Sequence, residues 1–269
     1  LKAGRNELIR SVETSTIQRL SQAKVLFYPG PDISRQAYCR TFHGDGMWSL
    51  CGITHTTSSI RAMDSIVDLI TSPVQPWDAL ICTSKSVKDN VEKVLQVQIN
   101  YLKDRLGITK FIAPQLPIIP LGIHTDDFSF SENERNSSRN KLDISDETIV
   151  VLYLGRLSFH AKAHPLAMYQ ALEKSAKSTN KEVVLIECGW HANDQISNAF
   201  DQAKQAVCPN VTSIKLDGRN KISRDKAWAS ADIFCSLSDN LQETFGITPI
   251  EAMASSLPVV VSDWDGYKD

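Results

Sequence analysis

From Ile149 the sequence switches repeatedly between two periods. Ile149-Val150-Val151-Leu152-Tyr153-Leu154 is apolar at every position, the pattern of a strand buried on both faces. Helical spacing follows near Leu166 to Lys177, a strand at Val183 to Glu187, and a helix near Ile196 to Ala206. Then come a strand at Val211 to Leu216, a helix near Asp225 to Ala229, and a strand at Ile233, Phe234 and Leu237. A strand that must return parallel to its predecessor needs a crossover, and a helix supplies it. The alternation therefore constrains this half to a parallel α/β sheet with right-handed crossovers, whose ligands meet the loops at the carboxyl ends of the strands.

The first half repeats the pattern less regularly. Leu8, Ile9, Val12, Ile17 and Leu20 suggest a helix, and Val25-Leu26-Phe27-Tyr28 a strand stopped by Pro29-Gly30-Pro31. Asp32 follows the stop, where a solvated turn residue is the ordinary reading and an acceptor contact the sharper one. Ser49 to His55 and Trp77 to Ser84 read as further strands, and Pro117 to Ile123 as a proline-bounded one. A long helix from about Ser86 carries Val87, Val91, Val94, Leu95, Ile99, Leu102 and Leu106 on one face. Its other face is basic, with Asp89, Glu92 and Asp104 interspersed; a solvated face is the ordinary reading and an anionic membrane surface the alternative. Thr125 to Glu147 turns polar. The expected division is residues 1–122, a linker and hinge at 123–147 with the hinge near Gly122, and residues 148–269.

With 269 residues the chain can bury one large core or two modest ones. Lys+Arg 29 against Asp+Glu 31 leaves no basic excess to suggest a nucleic-acid partner. Cys39, Cys51, Cys82, Cys188, Cys208 and Cys235 are scattered without a Cys-x-x-Cys pair, which favours reduced thiols in the cytoplasm over disulfides or a zinc site. No apolar run reaches the roughly 18 residues of a membrane span. The chain starts at Leu1 and stops at Asp269, soon after the apolar run Pro258 to Val261. It reads as a fragment incomplete at both ends.

Two loops concentrate the chemistry. After Leu237 a polar stretch carries Glu243, then Phe245-Gly246, then Thr248-Pro249-Ile250-Glu251. The latter fits a capping box, with Thr248 at the N-cap, Pro249 at the first helical position and Glu251 reaching back. Glu251 is thus either a helix starter or a ligand group, whereas Glu243 has no such structural duty. Free amides at that helix start, with Gly246 allowing close approach, suit an anion. After Leu154, Arg156 and Lys162 occupy another strand exit; solvation is the ordinary reading, and neutralising a leaving diphosphate without a metal the functional one. His55 ends the strand Gly52-Ile53-Thr54 ahead of Thr56, Thr57, Ser58 and Ser59. Glu187-Cys188-Gly189-Trp190 is a strand exit placed to line a nucleotide pocket. Asp263-Trp264-Asp265 mimics a metal motif but reads as loop, since no partner carboxylate or histidine cluster accompanies it. Nucleophile-elbow, phosphate-loop and His-Glu-x-x-His patterns are missing from the sequence.

Glu243-Thr244-Phe245-Gly246, Glu251-Ala252-Met253-Ala254 and Pro258-Val259-Val260 before Ser262 resemble the signature of family 4 glycosyltransferases. The resemblance implies α/β architecture with two Rossmann-like domains whose parallel sheets face a central cleft, the GT-B type. It implies a retaining transfer of a sugar from a nucleotide-diphosphate donor to an acceptor hydroxyl, with no cofactor and no metal. By the same resemblance Glu251 holds the ribose, Arg156 and Lys162 the diphosphate, and Glu243 the sugar. Thr244, Phe245, Gly246 and Ile247 complete the donor loop, and His55 faces the sugar from the other domain. Ala163 and Ser256 depart from the family's usual glycines. The acceptor, whether sugar, lipid or small molecule, is left open. Alternatives are a non-catalytic nucleotide-sugar-binding domain and a nucleotide-sugar epimerase, because fold does not fix function; a glycoside phosphorylase would need a pyridoxal lysine or extra phosphate ligands.

Overall fold

A computed structural model describes residues 17–57, 59–179, 181–241 and 243–268. Of the first expected helix, α1 (Ile17–Ala23) falls within them; Leu8, Ile9 and Val12 lie outside, as does Ser58 of the hydroxyl run. The chain divides into two compact units, Leu1–Ile119 and Pro120–Asp269.

In the first unit β1 (Val25–Phe27), β2 (Ser49–Thr54) and β3 (Ala79–Cys82) form a parallel sheet in that order. Helices α2 (Ser34–Thr41), α3 (Ile60–Val67) and α4 (Lys85–Leu106) cover it. Ile33, Leu50, Leu69, Leu80, Val87 and Val91 meet in its core. Ser84 caps α4 by accepting from the Val87 amide, and left-handed Gly107 ends it. The charged face of α4 pairs along itself, Lys85 with Asp89 and Lys88 with Glu92, which is how a solvated helix face behaves.

The core of this unit contains one ion pair. Arg40 and Asp78, both 0% exposed, meet at 2.7 Å, and Asp78 also accepts from the Leu50 and Gln75 amides at 2.8 Å. One carboxylate thus joins α2, β2 and the entry to β3.

The strand expected at Pro117 to Ile123 does not form. Instead the segment runs beside β3 through bridges at Gln115 and Ile118. The Cys82 amide donates to Pro117 O at 2.9 Å and the Ile119 amide to Cys82 O at 2.9 Å. Pro117 has no amide to give back, so the ladder is interrupted where a regular strand would need a donor.

In the second unit the sheet order is β6-β5-β4-β7-β8, with β4 (Ile149–Arg156), β5 (Val183–Trp190), β6 (Thr212–Asp217), β7 (Ile233–Ser236) and β8 (Val259–Val261), all parallel. Helices α6 (Leu166–Thr179) and α7 (Asp194–Val207) pack against alternate strand residues such as Val151, Tyr153 and Leu185. The other alternate set, including Val150, Leu152 and Ile186, packs with Trp228 of α8 (Lys221–Ser230) and Ala252 of α9 (Ile247–Ala254). Helix α8 starts earlier than its apolar spacing suggested, because Asn220 caps it by accepting from the Ile222 and Ser223 amides. Helix α5 (Glu132–Lys141) opens with a Ser131–Glu134 capping box, and its buried Arg139 reaches Asp232 at 2.6 Å. Asp232 accepts in turn from the Val150 amide at 2.8 Å.

This order contains a reversal. The chain passes from β4 outward through β5 to β6, then returns to lay β7 on the opposite side of β4. Pairing between β4 and β7 stops at Leu152 and Phe234, while β4 stays paired with β5 as far as Arg156 and Trp190. The pairing of β4 with β7 therefore ends short of the carboxyl end of β4, at the switch point, where open α/β sheets bind ligands.

Candidate functional site

The loops leaving β4 and β7 are tied to each other beyond that point. Asn240 Nδ2 donates to His160 O at 2.7 Å, and Ser238 Oγ to Lys162 O at 3.3 Å. Lys162 Nζ then meets Glu243 at 2.9 Å, with the side chains 22% and 13% exposed. Arg156 ends β4 with an exposed side chain, and its carbonyl accepts from Tyr153 Oη at 3.0 Å. Among the described residues its guanidinium has no ion-pair partner. An incoming anion would therefore meet one cation already aimed by a carboxylate and another not yet engaged.

Helix α9 begins differently from the sequence expectation. Gly246 is its N-cap, at φ +81°, with no side-chain cap, so the proposed Thr248–Glu251 capping box does not exist. Starting at Ile247 places Pro249 on the first turn, where its missing N–H costs nothing, and moves Glu251 beyond the capping position. Among the described residues the Gly246, Ile247 and Thr248 amides donate to no backbone acceptor outside the helix. They are the orphan donors at the positive end of a helix dipole.

The reason for glycine at 246 also differs. A Cβ there would lie 2.2 Å from the Tyr267 ring, so the space belongs to a protein side chain and not to close ligand approach. Gly266 makes the matching approach: its amide donates to Glu243 O at 3.0 Å, and a Cβ would fall 2.3 Å from the Phe245 nitrogen. The Tyr267 hydroxyl contacts Ser236 Oγ at 2.8 Å. Burial first, and then the Glu243 charge, push this phenol well above its ordinary range, which keeps it protonated. Sequence reasoning treated residues 263 to 265 as plain loop and overlooked Gly266-Tyr267; an isolated glycine followed by an aromatic, just after a strand and its loop, was the available signal. Asp265 opens a 3-10 turn, Asp265–Lys268. Among the described residues no group of three or more His, Cys, Asp or Glu side chains gathers as a metal site would require.

Glu251 sits half-buried on α9. Burial raises its carboxyl pKa, and Arg224 on α8 pulls it back; Arg224 Nη1 is anchored on Gly218 O at 2.9 Å. Arg224 is a second residue the sequence reading missed, since a helix arginine carries no motif. Thr244 is buried, Phe245 half-buried and Ile247 37% exposed. At the β5 exit Glu187, Gly189 and Trp190 line a depression of ≈ 440 Å³ with His191 and Lys215, Cys188 points into the core, and Glu187 bonds the hydroxyls of Tyr169 and Ser213.

Arg156, Lys162, Glu243 to Ile247 and Glu251 thus all belong to the second unit, at or just beyond the carboxyl ends of β4 and β7. His55 belongs to the first unit. It follows β2 and lines a depression of ≈ 330 Å³ shared with Asp32 and Arg61.

Comparison with known proteins addresses the fold and the family. A solved structure from Anabaena, Alr3699/HepE in complex with UDP, superposes with a TM-score of 0.67 at 15% identity, covering 94% of this chain and 64% of that one. Sucrose-phosphate synthase from Thermosynechococcus elongatus gives 0.57 at 15% identity, covering 94% and 62%. At such identities the likeness establishes the fold, two Rossmann-like units of the GT-B type. An uncharacterized glycosyltransferase of Methanocaldococcus jannaschii, MJ1607, is 24% identical over 240 residues, or 88% of this chain. The chain spans about half of that relative, 54% of its length. Residues 134–269, half of the chain, match the family model of glycosyl transferases group 1, and the chain belongs to that family.

Proposed function

We propose that this chain forms the donor-binding part, with some of the acceptor side, of a retaining glycosyltransferase that takes a hexose from a nucleotide-diphosphate donor. The observation that carries the reading is Lys162 held by Glu243 at 2.9 Å, which joins the loops leaving β4 and β7; Arg156 at the end of β4 and the uncapped start of α9 belong to the same unit. Two cations and a set of free amides fit a diphosphate, whose negative charge grows as the sugar leaves. Glu251 would hold the ribose and Glu243 the sugar, with Thr244, Phe245 and Ile247 shaping the loop between them. His55 would orient a sugar hydroxyl. Retention fits a front-face mechanism in which the departing phosphate oxygen takes the acceptor proton, so no opposed pair of protein carboxylates is required. The UDP complex of the Anabaena neighbour makes a uridine diphosphate donor the first to try. No metal is proposed, because Arg156 and Lys162 supply the charge.

The test is thermal stabilisation of the chain by UDP-, GDP- and ADP-sugars, with and without manganese. One donor class should raise the melting temperature without manganese, and an Arg156→Ala/Lys162→Ala variant should lose that response. Stabilisation that needs manganese, or that survives in the variant, contradicts the proposal.

A further inference from the structure

The chain that leaves β8 turns back onto the loop from Glu243 to Ile247. Strands β7 and β8 stay paired as far as Ser236 and Val261, and just beyond them Ser262 Oγ donates to Ser238 O. Three consecutive residues then make a close approach. Asp265 takes φ +45°, a left-handed conformation that aspartate tolerates better than most side chains. The Gly266 amide donates to Glu243 O at 3.0 Å, where a Cβ would fall 2.6 Å from that same oxygen. Tyr267 lays its ring where a Gly246 Cβ would stand, and its hydroxyl lies 2.8 Å from that of Ser236, which is 4% exposed at the end of β7.

These contacts fall on two residues that matter to the proposed site. Glu243 is the carboxylate that holds Lys162, and Gly246 is the N-cap from which α9 and its first amides set out. Gly246 has no side-chain cap to fix it, so the Tyr267 ring does from outside what a cap would do from within. A loop that must find its geometry when an anion arrives gives up ordering entropy on binding, whereas a loop already held does not. A flat ring with two side-chain torsions suits the task, since it lies close against a residue without a Cβ and has little freedom of its own to lose.

We infer that Tyr267 is a positioning residue of the donor site: seated on Gly246 and moored at Ser236, it holds the loop from Glu243 to Ile247 in the arrangement that meets a diphosphate. The inference rests on the glycosyltransferase reading and adds to it a residue from the next strand exit, which acts through that loop.

Isothermal titration of inorganic pyrophosphate into the full chain tests it, at a fixed temperature well below the melting transition. Tyr267→Ala should weaken binding about tenfold, the scale of re-ordering roughly one backbone residue on binding. Tyr267→Phe keeps the ring and should restore affinity to within about threefold of native, the lower end of what one neutral hydrogen bond contributes. Hydrogen exchange adds a readout that a general loss of stability would not give: in Tyr267→Ala the Gly266 amide and those of α9 should exchange faster, with those of β4 and β5 unchanged. If Tyr267→Ala lacks a native circular dichroism spectrum, Tyr267→Leu takes its place, with the same loss expected because a branched chain does not fit against Gly246 as a flat ring does. Native affinity in the Ala or Leu variant would overturn the inference alone, as would an equal loss in Tyr267→Phe. No pyrophosphate binding by the native chain would overturn the donor reading and the inference together.

Discussion

At Gly246 two demands fall on one residue. The backbone takes φ +81° to start α9, and the Tyr267 ring fills the space where a Cβ would be. Gly246→Ala should therefore cost about 1–3 kcal/mol from backbone strain alone, with further loss from displacing Tyr267. Thermal melts should show a lowered transition, and donor binding should weaken with it; an unchanged melt would mean the loop does not close as described. Glu251 offers a test with a definite sign. Burial raises its folded pKa above the unfolded value, so its contribution to stability is complete at pH below the ordinary glutamate range and is lost as pH rises through the elevated folded value. Relative to Glu251→Gln, the native chain should lose melting temperature as pH increases from acid toward neutral. A gap independent of pH would show that Glu251 titrates as in the unfolded chain. That Glu243 and Lys162 stand in strand-exit loops was legible from the sequence; that they pair with each other was not. Tyr267 and Arg224 were not, because one looks like an ordinary loop aromatic and the other like an ordinary helix arginine.

Elements announced by continuous apolar runs, β4 and β5 above all, formed where their composition put them, since burial on both faces leaves little choice of conformation. Misreadings fell where single hydrogen-bonding groups decide. Pro117 turned an expected strand into an interrupted ladder, Asn220 lengthened α8, and Gly246 replaced Thr248 at the start of α9. The buried pairs were equally hidden, because nothing in the spacing of Arg40 and Asp78, or of Arg139 and Asp232, shows that they meet. Asp78→Ala should leave the wholly buried Arg40 charge without its partner, at about 3–5 kcal/mol, a large share of the ~5–15 kcal/mol that holds a domain folded. Hydrogen exchange is the suitable measurement. Amides of β1, β2 and β3 should lose protection while those of β4 to β8 keep theirs, and full protection in β2 would contradict the role given to this carboxylate.

For the molecule as a whole, the alternating periods of the sequence were enough to specify parallel α/β units, and the strand order of the second unit reverses at β4, the switch point beside which the proposed site lies. That reversal depends on which side of β4 the chain places β7, a choice no local pattern records. The proposed anion site is made by Arg156, Lys162 and the start of α9. Inorganic pyrophosphate probes it directly, because it carries the diphosphate without base, ribose or sugar. Isothermal titration of the native chain should show saturable pyrophosphate binding, weakened about ten- to a hundredfold in Arg156→Ala/Lys162→Ala as charged hydrogen bonds are removed. Equal pyrophosphate affinity in the two proteins would contradict it.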